Sequence, residues 1–182
     1  MSDREIIEGL IARDERVTEE FFFGQCRPLL YSIIGLVFNG EADYDELVNE
    51  LYLYLMENDA ARLHGFEYRS TLLQWLKVVA IRYFIKRRDH VLGETSHEPA
   101  RNSEAGDEDS HAYDDLERLF ELMPNKRYVM VIKKLILEDQ EPEQLARQMN
   151  ISTANLYNIK RRAMAQLARV ALKDIQEYGK QQ

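Results

Sequence analysis

Cysteine, glycine and proline are all scarce in this chain of 182 residues, and each scarcity excludes a class of protein. The single cysteine, Cys26, rules out an intramolecular disulfide and a cysteine-rich metal site, and we expect it to be a small buried hydrophobic residue. Eight glycines and four prolines leave little turn punctuation, and strand-like alternation is absent. Apolar residues recur instead every three or four positions. The sequence therefore predicts an all-α protein.

Long apolar runs are missing as well. No stretch of 18 uninterrupted apolar residues occurs, so the sequence predicts no membrane insertion. The N-terminal MSDREIIEGL carries acids where a signal peptide would carry cations, and no apolar segment follows it. From these absences we expect a cytoplasmic protein.

Recognisable catalytic patterns are also missing. His64, His90, His97 and His111 show neither an i, i+4 pair nor an HExxH motif. A phosphate-binding glycine loop and a nucleophile elbow are absent too. We therefore expect no catalytic site, no metal site and no cofactor, which argues against an enzyme.

Acidic residues are abundant, and many of them lie in one segment. Residues 89–115 hold nine acids and one cation, Arg101, with little to bury. Such a composition is typical of a mobile linker, because burial cannot offset the entropy lost on ordering. The sequence thus predicts an N-terminal helical domain over 1–88, an acidic linker over 89–115 and a C-terminal helical domain over 116–176.

Positive charge is concentrated in two windows that contain no acid. Residues 68–88 and 144–173 carry six cations each, so the rest of the chain holds a net charge of −20 and the whole chain −8. Local fields decide where phosphate binds, so an acidic net charge does not exclude nucleic acid as a ligand.

The second window contains the pattern of a helix-turn-helix. Pro142 suits the first turn of a helix, Asn150 and Ile151 suit a turn, and Ser152 is a good N-cap for a helix starting at Thr153. The inward stripe of that second helix is predicted to consist of Leu156, Ile159, Ala163, Leu167 and Val170.

The opposite side of the same helix has the residue types that read DNA. Asn158 and Arg161 lie opposite the stripe, flanked by Asn155, Tyr157 and Arg162. Asn and Arg offer paired donors for base edges in the major groove. The alternative is a solvated cationic face on an ordinary helical hairpin. The lack of any acid over 144–173 favours DNA binding, because plain surface helices usually mix Glu with Lys.

The N-terminal domain offers two further surfaces. A helix over 43–57 should bury Leu47, Val48, Leu51 and Leu55, and its other face should present Glu46, Glu50, Leu53 and Glu57. An acidic stripe with an exposed leucine suits a basic partner helix, and the alternative is a solvated face with one stray leucine.

The first basic window alternates aromatic and cationic residues. Aromatic planes beside cations suit unstacked bases and single strands. The alternative is that Trp75, Leu72, Leu76 and Val79 form core, and for Trp75 we expect this. Arg82 and the three cations over 86–88 we expect at the surface. The aromatic residues in question are Phe66, Tyr68, Trp75, Tyr83 and Phe84.

Taken in order, these blocks resemble the extracytoplasmic-function group of bacterial sigma factors. The segment FFFGQCRPLLYSIIGLVFN is similar to region 2.1, DYDELVNELYLYLM to region 2.2, FEYRSTLLQWLKVVAIRYFIKRR to regions 2.3 and 2.4, and EPEQLARQMNISTANLYNIKRRAMAQL to region 4.2. In regions 2.3 and 2.4 the residues in register with the family are Phe66, Ser70, Trp75, Leu76 and Ala80.

The resemblance implies a transcription initiation factor in which region 2 is a helical bundle and region 4 a helix-turn-helix. Its implied partners are core RNA polymerase, through the clamp coiled coil and the flap, and promoter DNA, with an anti-sigma protein as a possible further partner. It implies polymerase contacts at Glu46, Asn49, Glu50 and Leu53. It implies contacts to the −10 element at Phe66, Tyr68, Arg69, Ser70, Thr71, Lys77, Arg82 and Lys86. It implies contacts to the −35 element at Thr153, Asn155, Tyr157, Asn158, Lys160, Arg161, Arg162 and Lys173.

The chain departs from the family pattern at several of these positions. Arg82 stands where the family has Asn, Tyr68 where Gly is frequent, Asn155 where Thr is usual, and Tyr157 where a basic residue is usual. A different interpretation is a stand-alone helix-turn-helix regulator that binds a palindrome as a dimer without polymerase. That interpretation leaves the aromatic and basic block of 66–88 unexplained.

Overall fold

The computed structural model describes residues 1–91 and 112–178, and over these two ranges the chain forms helices and no strand. This confirms the all-α prediction. The chain divides into two compact units, Met1–Asp115 and Leu116–Gln182. The second unit begins at the residue where the predicted C-terminal domain begins.

The first unit contains two N-terminal helices, a π-helix and three longer helices. Each of the first two helices and α4 starts at a polar side chain that accepts a backbone N–H: Ser2 from Glu5, Asp14 from Val17, and Asp43 from Glu46. Large apolar side chains from α3, α4 and α5 fill the core. The elements are α1 (Asp3–Ile11), α2 (Glu15–Val17), the π-helix Thr18–Gln25, α3 (Arg27–Phe38), α4 (Tyr44–His64) and α5 (Leu72–Val91).

Helix α4 is broken near its C-terminal end. Glu57 is extended, and Asn58, Asp59 and Ala60 follow with φ of 51°, 57° and 57°, in the left-handed region. Arg62 donates to the carbonyl oxygen of Tyr54, in the last turn before the break, at 2.7 Å. The guanidinium carbon of Arg62 also lies 3.6 Å from the centroid of the Tyr54 ring. A buried arginine therefore caps the first part of the helix.

The second unit is built around its last helix. The side chains of Leu156, Met164 and Leu167 on this helix are fully buried. Asn125 caps α7 by accepting the N–H groups of Arg127 and Tyr128. The elements are α6 (Ala112–Leu122), which enters this unit at Leu116, α7 (Lys126–Ile132), the π-helix Lys133–Leu137, α8 (Pro142–Gln148) and α9 (Thr153–Tyr178).

The two ends of the predicted linker are helical. Residues 89–91 continue α5, and residues 112–115 begin α6. Once a helix is nucleated, each added residue contributes a hydrogen bond, so a helix readily extends beyond its last buried side chain. Residues 92–111, the remainder of the predicted linker, lie outside the described residues.

Within 1–91 and 112–178 no single helix is long and apolar enough to cross a membrane. The helices Glu15–Gln25 and Arg27–Phe38, which are bent by 50° relative to each other, together have the length and the apolar composition of a membrane span.

Candidate nucleic-acid interface

The helix-turn-helix forms as the sequence predicts. Helix α8 begins at Pro142, and Asn150 turns the chain with a φ of 54°. The N–H of Ile151 donates to the carbonyl of Ala146 at 3.0 Å, which closes the turn. Ser152 then accepts the N–H of Asn155 at 3.1 Å and so caps α9. The predicted N-cap is confirmed.

The orientation of α9 is also as predicted. Of the inward stripe, Leu156, Ile159, Ala163 and Leu167 are buried and Val170 is half-buried. Opposite this stripe the side chains of Asn155, Tyr157, Asn158, Arg161 and Arg162 are exposed. Further along the same helix Arg169 and Lys173 are exposed, whereas Thr153 and Lys160 are half-buried. Ala154, which the sequence did not single out, is exposed between the capping turn and Asn155.

Three exposed cations of α9 form no ion pair with a described carboxylate. In the part of the chain that the structure describes, Arg161, Arg162 and Lys173 have no carboxylate partner. The acid of this helix that does form an ion pair, Asp174, pairs with Arg118 of α6. The outward face of α9 therefore combines amide, guanidinium and ammonium groups that are available to an external anion.

The arginines of α5 behave differently, and our expectation that Arg82, Arg87 and Arg88 lie at the surface is wrong. Arg82, Arg87 and Arg88 are 8%, 7% and 4% exposed. Arg88 donates from Nε to the carbonyl oxygen of Val37 at 3.0 Å, near the C-terminal end of α3. Helix α5 packs against α3, and a buried guanidinium is tolerated where it has such acceptors. In this conformation Arg82, a predicted −10 contact, is not presented to DNA.

Arg87 pairs with a residue that the resemblance assigned to polymerase. Its Nη2 donates to Oε1 of Glu50 at 3.1 Å, and its Nε lies 3.0 Å from the other carboxylate oxygen. Its guanidinium carbon is 5.5 Å from the centroid of the Tyr83 ring, which in turn lies 4.6 Å from the Tyr54 ring. Glu50 therefore ties α4 to α5.

The face of α4 is consequently less acidic than its sequence indicates. The inward residues Leu47, Val48, Leu51 and Leu55 are buried as predicted. Glu57 is engaged like Glu50, because Arg62 lies 3.3 Å from its carboxylate. What remains exposed on this face is Glu46, Asn49 and Leu53, and Leu53 is 64% exposed.

A second exposed apolar residue lies beside this face, and it was not predicted from the sequence. The π-helix Thr18–Gln25 buries Phe21 and Phe22 and leaves Phe23 37% exposed. The ring centroid of Phe23 is 5.8 Å from that of Tyr52, the neighbour of Leu53 in α4. A run of three phenylalanines cannot all point inward from one helix, and that was the available signal.

The loop between α4 and α5 presents the remaining −10 candidates. Tyr68, Arg69 and Thr71 are exposed, Ser70 is half-buried, and Lys77 and Lys86 on α5 are half-buried. Phe66 is buried, with its ring centroid 4.6 Å from Tyr68 and 5.4 Å from Trp75, so it supports the loop and offers no free face to a base. Trp75 is buried as expected. A cavity of about 360 Å³ opens beside Phe66 and Tyr68, against α1.

The chain was compared with protein-family models, with curated proteins and with solved structures, and none of them matches it. Over the described ranges, no three His, Cys, Asp or Glu side chains come together as a metal site would require. Function has to follow from the exposed residues of α4, of the loop before α5 and of α9.

Proposed function

We propose that this chain is an alternative sigma factor. It binds core RNA polymerase in the cytoplasm, directs it to promoters through −10 and −35 elements and assists promoter melting, without catalytic activity of its own. The observation that carries the proposal is the outward face of α9, where Asn155, Asn158 and Arg161 lie beside exposed cations on the second helix of a helix-turn-helix.

On this proposal the two halves of the α9 face have different tasks. Asn158 and Arg161 are opposite the buried stripe and reach base edges, where Arg pairs with guanine and Asn with adenine. Arg162 and Lys173 contact phosphate, which contributes affinity and salt dependence but no sequence preference. The acidic remainder of the chain disfavours binding to arbitrary DNA, so that promoter binding depends on polymerase.

In the first unit, docking and strand contact also come from separate residues. Glu46, Asn49 and Leu53 are the exposed face of α4 and bind the polymerase coiled coil, with Leu53 as the apolar centre. Tyr68, Arg69 and Thr71 contact the opened −10 strand, with the exposed ring of Tyr68 as the stacking surface. The ion pair between Arg87 and Glu50 holds α5 against α4.

The test of the α9 assignment compares two substitutions in the complex with core RNA polymerase. Arg161→Ala should cost about 1–3 kcal/mol on the preferred −35 sequence and relax discrimination there. Lys173→Ala should weaken binding equally on matched and scrambled duplexes and reduce the salt slope by about one. Equal losses for Arg161→Ala on both duplexes would show that the residue is a phosphate contact and that bases meet another side of the helix.

A second candidate is a helix-turn-helix regulator that acts without polymerase. The burial of Arg82, Arg87 and Arg88 favours it, because these cations are then structural and the first unit presents fewer contacts for DNA. The two candidates separate in one experiment. A sigma factor co-purifies with core RNA polymerase and allows it to start transcription in vitro. A stand-alone regulator binds a palindromic duplex as a dimer and does not change which promoters the polymerase uses.

A further inference from the structure

Tyr157 is an exposed aromatic ring on α9, and Lys160 lies against it. Tyr157 is 44% exposed, and the ammonium nitrogen of Lys160 is 4.8 Å from its ring centroid. Residues three apart on a helix are neighbours, so the contact follows from helical geometry. A cation this close to a ring is attracted by the electron density of its face. Lys160 is half-buried, and burial lowers the pKa of its ammonium group.

This contact separates Lys160 from the other cations of the helix. Arg161 and Arg162 are exposed, whereas the Lys160 ammonium group is directed to a ring face. Among the residues that the structure describes, Lys160 makes the one ring contact that Tyr157 has. The rest of the Tyr157 ring is thus a flat apolar surface held at a defined orientation, adjacent in sequence to Asn158.

We propose that Tyr157 reads the 5-methyl group of thymine in the major groove and that Lys160 is the positioning residue that holds its ring. Thymine is the one standard base that presents an apolar group in that groove, and apolar side chains recognise it there. The inference rests on the proposed reading of duplex DNA by α9. It adds a preferred base, and it gives Lys160, which the resemblance assigns to the −35 element, an intramolecular role.

The probe is a duplex that the full chain, in complex with core RNA polymerase, enriches from a random pool. Each thymine of the enriched sequence is replaced in turn by uracil, which lacks the 5-methyl group. For the unaltered chain we expect one such replacement to weaken binding about fourfold, the effect of one buried methyl-sized group. Tyr157→Ala should abolish this preference, and the exposed position of the ring makes loss of the fold unexpected.

Substitutions of Lys160 test the positioning role. Lys160→Gln should reduce the preference for thymine to below about twofold, and Lys160→Arg should retain it because a guanidinium also binds a ring face. Lys173→Gln is the matched control, since it removes one exposed cation from the same helix and should weaken both duplexes equally.

The outcomes distinguish this inference from the proposed function. Equal binding of thymine and uracil duplexes at every position overturns the inference and leaves the sigma-factor proposal standing. A preference that survives Tyr157→Ala, or that Lys160→Gln leaves unchanged, also overturns it. If the complex enriches no sequence at all, the proposed function fails, and the inference fails with it.

Discussion

The buried arginines of the first unit and the exposed arginines of α9 have opposite roles. In the first unit Arg62 and Arg88 are 3% and 4% exposed, and each donates to a backbone carbonyl at the end of a helical segment. In the second unit Arg161 and Arg162 are exposed on the outward face of α9 and have no carboxylate partner among the described residues. The first set stabilises the fold, and the second is available to a ligand.

The difference arises from what each helix packs against. The last carbonyls of a helix have no intrahelical donor and lie at the negative end of its dipole, so a buried guanidinium is stable beside them. Arg88 on α5 finds such a carbonyl at Val37, because α3 ends beside it. Among the described residues, Arg161 and Arg162 on the outward side of α9 donate to no helix end, and both are exposed. A basic run therefore indicates nucleic acid only when the helix that carries it has a free side.

The largest expected effect concerns the surface that the first unit leaves exposed. Replacing Leu53 with Ala and Glu46 with Lys removes the apolar centre and reverses one charge, and should weaken the binding of core RNA polymerase at least tenfold in a pull-down titration. Leu73→Ala is the matched control, because Leu73 is 42% exposed on α5 and lies outside this face. Full retention of polymerase by the double variant would remove α4 from the docking site.

The next largest effect is the loss of stability when one arginine is replaced in each unit. Arg88→Met should lower the free energy of unfolding of the first unit by about 2–3 kcal/mol, because a buried carbonyl loses a charged donor. Arg162→Met on α9 should change stability by less than about 0.5 kcal/mol. Trp75, the single tryptophan, lies in the first unit. Its fluorescence in urea therefore reports the unfolding of that unit, whereas circular dichroism reports the unfolding of both. Similar losses of stability for the two variants would mean that the buried and the exposed arginine contribute equally to the fold.

Replacing one alanine by glycine in α4 and one in α9 should change the free energy of unfolding by smaller amounts, with opposite signs. Ala60 has a φ of 57°, which costs a residue with a Cβ about 1 kcal/mol, so Ala60→Gly should stabilise the first unit by up to that amount. Ala165 lies inside the regular helix α9, where glycine costs about 1 kcal/mol, so Ala165→Gly should destabilise the second unit. Calorimetric unfolding measures both, and a loss at Ala60 would mean that its buried methyl outweighs the backbone strain.

The smallest effect at neutral pH concerns Cys26. Burial raises the pKa of its thiol from 9.0 to about 12, so between these values the unfolded chain releases a proton that the folded chain keeps. The stability that this contributes is intact below about pH 9 and is lost as the pH rises toward 12. Between pH 8 and pH 10, wild type should lose about 1 kcal/mol more than Cys26→Ala, measured by urea unfolding. Equal losses would mean that the thiol ionises in the folded state.

Much of this molecule could be predicted from local pattern. The helical fold, the N-cap at Ser152 and the buried stripe from Leu156 to Leu167 follow from apolar spacing and cap chemistry, and all three are confirmed. These features depend on residues within about one turn of each other, where helix geometry decides which side faces inward. For that reason the candidate interface on α9 was predictable in its orientation.

The remaining features depend on contacts between residues that are far apart in the chain. By itself the sequence determined which segments are helical and which side of α9 is apolar, because those properties repeat along a single helix. The tertiary structure alone decided that Glu50 is held by Arg87, 37 positions away, and that Arg88 caps α3 across 51 positions. It also decided that α4 breaks at Asn58, where Arg62 packs on Tyr54. A charged residue on a helix has the same appearance in sequence whether it faces water or the end of another helix, and packing determines which of the two it meets.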